Sequence, residues 1–172
     1  MTELEKLEIL ASLERGQAAL LDAVFGVTEE LAVRAPGPGK WSIGECVEHV
    51  AVSERYLFSQ ILASEDSATP LVNEAREARI AARGTDRTRK VESPATAQPN
   101  GRFSTLQAAV QDFAASRQQA IHYVRSSRDD LRSKITSHPL FGTVNCYEML
   151  LLLAAHSKRH AKQIEEIKTA VS

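Results

Sequence analysis

The chain lacks several features, and each absence excludes a class. It has no long hydrophobic run: the longest apolar stretch, Met149 to Ala155, is far short of the roughly 20 residues that a membrane span needs. It has no charge surplus. Twenty-one Lys and Arg stand against 22 Asp and Glu, a formal net charge of -1, whereas a nucleic-acid partner normally leaves a basic excess. Cysteine is scarce, and Cys46 and Cys146 fit a reducing compartment without structural disulfides. The stretch Met1 to Leu10 carries three glutamates and one lysine, not the basic flank and apolar run of a signal peptide. No internal repeat is evident. The expectation is a cytoplasmic protein with neither a membrane nor a nucleic-acid partner.

What is present is ordinary for a globular protein: 172 residues, 43% hydrophobic and 25% charged. That length predicts one domain over residues 1–172, with room for its own core. Ala, Leu, Glu and Arg dominate and no segment alternates convincingly like a strand, so the expected class is all-α. A first helix is expected over about Glu3 to Phe25, with Leu7, Leu10, Leu13, Leu20, Leu21 and Val24 as a loose apolar stripe. A short turn follows over Thr28 to Val33, and then Pro36, Gly37, Pro38 and Gly39 break the chain.

Ser42 and Glu45 form a capping box for the second long helix, whose seam reads Ile43, Cys46, Val50, Ser53, Leu57 and Ile61. Between Leu71 and Arg102 the pattern is least regular. An exposed arginine-rich helix is expected over Glu74 to Arg83, ended by Gly84, and then an extended loop through Ser93-Pro94 and Pro99 to Gly101. Ser104 with Gln107 repeats the capping pattern before a helix with Leu106, Val110, Phe113, Arg117, Ile121 and Val124 on one face. The last helix begins near Asn145, with Glu148 as capping partner. Its inward face should carry Met149, Leu152, Leu153, His156, His160, Ile164 and Ile167. Four long helices with a long crossover between the second and third predict a four-helix bundle.

The chemistry lies in the histidines. His156 and His160 are four apart on one helix, so at about 3.6 residues per turn they stack one turn above the other and can grip one ion. His49 lies beside the seam of the second helix. Two facing helices would then supply three imidazole ligands and leave a coordination position open, as in catalytic rather than structural zinc sites. The plainer readings stay open: His49 as a hydrogen-bonded core histidine, and Arg159-His160 as a solvated helix edge. His122 and His138 read as surface and loop residues. Cys46 reads as a buried, inert thiol, and Cys146 is too far along its helix to share the site.

The segment Trp41-Ser42-Ile43-Gly44-Glu45-Cys46-Val47-Glu48-His49 resembles the first signature of the DinB-like (YfiT-like) superfamily. His138-Pro139-Leu140-Phe141-Gly142, with His156-Ser157-Lys158-Arg159-His160-Ala161-Lys162-Gln163-Ile164, resembles the second. The resemblance runs from about Leu7 to Ile167 and takes in Gly101-Arg102-Phe103, Phe113 and Arg117. It implies an up-down-down-up four-helix bundle, frequently a homodimer, holding one divalent ion, typically nickel or zinc, on His49, His156 and His160. It further implies an enzyme acting on a small molecule. The expected activity is transfer from a low-molecular-weight thiol to an electrophile; metal-dependent hydrolysis and a non-catalytic metal-binding dimeric bundle are the alternatives. The resemblance names no catalytic residue beyond the ligands. Glu45 is a candidate to orient His49, although its capping role already explains it, and Gln163 reads equally as a ligand-supporting or a helix-surface amide. Arg76, Arg79 and Arg83 read as a solvated basic face, with attraction of an anionic thiol to the pocket mouth as the alternative.

Overall fold

The computed structural model describes residues 1–83, 85–88 and 92–171, so the expected helix stop at Gly84 lies outside the described residues. In chain order the helices are α1 (Glu3–Val24), α2 (Glu29–Ala32), α3 (Ile43–Leu62), α4 (Glu74–Arg83), α5 (Leu106–Ser126) and α6 (Cys146–Val171). The four long ones, α1, α3, α5 and α6, form a closed ring: α1 packs on α5 and α6, and α3 packs on the same two. The connection from α3 to α5 holds strand β1 (Glu65–Asp66), α4 and a 3-10 turn at Ala95–Ala97. The class is helical and the architecture a four-helix bundle with the long crossover in the expected place.

Local sequence explains where the helices start. Ser42 and Glu45 exchange side-chain and backbone bonds as a full capping box, and Thr2 and Glu5 do the same at α1. Asn145 and Glu148 pair reciprocally at α6, with Glu148 N–H on Asn145 Oδ1 at 2.7 Å and Asn145 N–H on Glu148 Oε2 at 2.9 Å. At α5 the expected Ser104 box does not form. Thr105 is the cap, taking the Ala108 N–H at 3.0 Å. The carboxylate at that helix end comes from Glu29 of α2, which accepts from Leu106 and Gln107 at 2.8 and 3.4 Å. A distant anion thus serves the positive helix terminus where a local partner was expected.

The inward face of α1 is Ile9, Leu13, Gly16, Leu20 and Ala23, rotated from the expected stripe; Leu7 is exposed and Ile9 fully buried. The predicted seam of α3 is buried throughout. On α5, Leu106, Phe113, Arg117, Ile121 and Val124 are buried as expected.

The apolar interior divides into two clusters. One gathers Leu13, Leu57, Ala120 and Leu153; the other gathers Leu20, Val50, Phe113 and Ala161. Between them lies a polar layer. Arg117 and Glu54, both 0% exposed, pair side by side at 2.5 and 2.9 Å. Arg117 also donates to Leu13 O at 2.7 Å, Leu153 O at 3.0 Å and Ser157 Oγ at 3.2 Å, so one guanidinium ties all four long helices together. Gly16 makes room for it: a Cβ there would fall 2.6 Å from Ser157 Oγ and 3.0 Å from an Arg117 nitrogen.

A three-stranded antiparallel sheet, in the order β1-β2-β3, was not expected from the sequence. It comprises β1, β2 (Lys134–His138) and β3 (Gly142–Asn145), with Thr136 opposite Val144. The strands are two to five residues long, too short for alternation to register. His138 ends β2 beside the turn, where its Nδ1 accepts the Leu140 N–H and its ring lies on Phe141. Gly142 follows at φ +67°, the left-handed geometry that closes such a hairpin.

Candidate metal centre

α3 and α6 pack side by side, and that contact brings the three histidines together. His49 comes from α3, beside the seam that its neighbours Cys46, Val50 and Ser53 occupy. His156 and His160 come from consecutive turns of α6, as their spacing predicts. His156 Nε2 lies 3.2 Å from His49 Nε2 and 3.1 Å from His160 Nε2. One ligand nitrogen from each ring lies within 4.8 Å of the others. His122 is exposed, and His138 stands in the hairpin; neither joins the group.

The rings are held from behind. His49 Nδ1 is 2.8 Å from the Ala97 carbonyl in the 3-10 turn. An imidazole that donates from Nδ1 keeps its lone pair on Nε2, the atom that faces the other two rings. His160 Nδ1 sits 3.4 Å from Cys46 Sγ. His156 Nδ1 is buried with no hydrogen-bond partner among the described residues.

Electrostatics favours lone pairs over protons here. Burial pushes the pKa of all three imidazoles down, and for His156 and His160 the fall is large. The neighbouring rings and the Arg159 guanidinium add to that fall, Arg117 for His156 and Arg87 for His160. Burial also pushes the Cys46 thiol up, to about 12, so it remains a neutral thiol. Three neutral, converging imidazoles are a donor set that fits a divalent transition ion such as zinc, copper, iron or nickel.

The crossover is fastened on both sides of this group. On the α3 side, Glu48 accepts from Asn100 N–H at 2.8 Å, Gly101 N–H at 3.1 Å and Arg102 Nη1 at 2.9 Å. Burial raises the Glu48 carboxyl, but those donors outweigh it and hold the group below its ordinary value. On the α6 side, Arg87 donates to Gln163 Oε1 at 2.9 Å and pairs with Glu166. The Trp41 ring, 4.9 Å from His49, forms a further wall.

Glu45 caps α3 as expected, its carboxylate taking the Ser42 N–H at 2.8 Å. Arg76 is not a solvated guardian of the mouth: it pairs side by side with the fully buried Glu148 at 2.6 and 2.8 Å. Arg79 is exposed, and the Arg83 side chain lies outside the described residues. Sequence reasoning missed Glu48, Ala97, Arg102 and Arg87. A glutamate directly before His49 was a visible hint for the first, and Arg102 stood in the Gly101-Arg102-Phe103 stretch without a role attached; a backbone carbonyl and Arg87 carry no sequence signal.

A family model described as the DinB superfamily matches residues 12–164. The chain belongs to the DinB superfamily. A relative within reach is an uncharacterized Bacillus subtilis (strain 168) protein, YuaE, 22% identical over 146 residues, covering 85% of this chain and 88% of that protein. Among solved structures the bundle is similar to YfiT from Bacillus subtilis, described as a probable metal-dependent hydrolase with an unusual four-helix bundle topology. The TM-score is 0.63 at 16% identity, over 98% of this chain and 89% of YfiT. At that identity the likeness is one of fold. In this DinB-superfamily chain, then, a helical bundle carries a three-histidine group able to hold a divalent metal, and among the described residues no helix is long and apolar enough to cross a membrane.

Proposed function

We propose that His49, His156 and His160 bind one divalent ion, nickel or zinc, and that the chain, working as one domain, is a metal-dependent enzyme for a small molecule. The observation that carries this is the convergence of the three Nε2 atoms, with His156 Nε2 at 3.2 and 3.1 Å from the other two. An ion held there supplies Lewis acidity at an open coordination position, able to activate water or a thiol near neutral pH. The chain's own residues do the rest. The Ala97 carbonyl fixes the His49 ring, the Glu48 anchor keeps the 3-10 turn in place, and Trp41 shields one side from water.

Hydrolysis is the first reaction to test, because the structurally similar YfiT is described in those terms. Transfer from a low-molecular-weight thiol to an electrophile is the finer expectation from the family resemblance, and a homodimer accompanies it. Elemental mass spectrometry on untagged protein, with His49→Ala and His156→Ala alongside, tests the ion. Near-stoichiometric metal lost in both variants supports the centre; no uptake after exposure to nickel, zinc and manganese refutes it. Turnover of esters or amides by the loaded protein without thiol assigns hydrolysis, and consumption of thiol with a model electrophile assigns transfer. Sedimentation of the same protein reads the oligomer.

A further inference from the structure

We infer that Cys46 is a positioning residue of the histidine cluster: its sulfur accepts the Nδ1–H of His160 and so turns the His160 Nε2 lone pair toward His49 and His156. The inference rests on the metal-centre reading for its purpose, but not for its geometry.

Cys46 is fully buried on α3, one turn before His49, and reaches across to α6. Its Sγ has two polar neighbours there, both on His160: Nδ1 at 3.4 Å and the carbonyl oxygen at 4.0 Å. A thiol has one proton and sulfur lone pairs to spare. With the S–H directed at the carbonyl, the lone pairs face the ring, and Nδ1 must be the protonated nitrogen. His160 Nε2 then presents a lone pair 3.1 Å from His156 Nε2. The opposite assignment, S–H donating to Nδ1, would put a proton on Nε2 at the centre of the cluster. His49 has the same arrangement, with the Ala97 carbonyl as its acceptor at 2.8 Å. A metal-binding imidazole is held in this way by the group behind its other nitrogen, and loss of that group typically weakens metal binding by about 10–100-fold.

Gln163 is the competing acceptor. It lies one turn beyond His160 on α6 and has its own hydrogen-bonding influence on that ring, although its Oε1 already accepts from Arg87 at 2.9 Å.

The test uses the full chain, metal-free, with 15N-labelled histidine. Two-bond nitrogen–proton correlations report the tautomer of each ring directly. His160 should be the Nδ1–H form in the parent. It should lose that preference in Cys46→Val, which fills the space without an acceptor, and regain it in Cys46→Ser. Chelator competition with nickel should show about 10–100-fold weaker binding in Cys46→Val and substantial recovery in Cys46→Ser. An Nε2–H ring in the parent overturns the inference, as does an Nδ1–H ring that persists in Cys46→Val, which would assign the role to Gln163. If the parent binds no metal, the proposed function fails, while the tautomer spectra still decide the role of Cys46.

Discussion

The polar layer across the middle of the bundle makes a sharp quantitative prediction. Arg117→Met replaces a guanidinium by an apolar side chain and leaves the Glu54 carboxylate, 0% exposed, with no cation beside it. Removing one partner of a buried ion pair costs about 3–5 kcal/mol, because the remaining charge stays desolvated and unpaired. For a domain of this size that is a fall in Tm of about 6–20 °C. Replacing both groups, Arg117→Met with Glu54→Leu, removes the stranded charge as well. Ser157 Oγ keeps bonds to Leu153 O and Ala154 O at 3.4 and 3.2 Å, so it is not orphaned by the loss of Arg117. The double variant should therefore recover most of the lost stability, since an apolar pair often matches a buried ion pair. Urea unfolding of the metal-free protein measures all four states of the cycle without contribution from ligand binding. A loss under about 1 kcal/mol for Arg117→Met, or a double variant as unstable as the two single losses added together, would refute the reasoning.

Gly16→Ala should destabilise by about 1–3 kcal/mol in thermal or urea unfolding, although alanine is the better helix former. The new Cβ would meet Ser157 Oγ at 2.6 Å and the Ala154 carbonyl at 2.8 Å. Acid should weaken the fold through Glu5: burial raises its carboxyl, but Thr2 and Arg132 outweigh that and hold it below its ordinary value. A depressed carboxyl contributes stability above its unfolded value of about 4.3, and that contribution is lost as pH falls through the folded value. The urea midpoint should therefore drop below about pH 4.3 in the parent and drop less steeply in Glu5→Gln. Trp41 is the sole tryptophan and its ring is 4.9 Å from His49, so nickel or copper titration should quench its fluorescence. The quenching should vanish in His49→Ala; a parent emission that ignores both ions would count against the centre.

Much of the architecture was legible because its signals are local. Ser42 with Glu45, and Asn145 with Glu148, marked helix starts through bonds made within three residues. The seam from Ile43 to Ile61 read correctly because every position of a repeating face is buried. Where the signal was weak, distant contacts decided. The inward face of α1 holds Ile9 and Gly16, and a side chain at Gly16 would collide with Ser157 and Arg117. At α5 Thr105 rather than Ser104 is the cap, and Glu29 from α2 takes the Leu106 N–H. The short sheet formed from segments whose pairing, not whose composition, makes them strands.

The histidine cluster shows the same division. The sequence by itself determined that His156 and His160 share a helix face, since four residues is about one turn of any α-helix. It also determined that His49 rides beside a buried seam, through the spacing of its apolar neighbours. Only the tertiary structure decided that α3 lies against α6, and that the Nε2 atoms of three rings therefore converge. It alone brought the Ala97 carbonyl from the crossover and Cys46 Sγ from α3 to the backs of two rings. The physical reason is range. Periodicity and capping act over one or two helical turns, whereas Cys46 and His160 are 114 residues apart and meet only because four helices close around a common core.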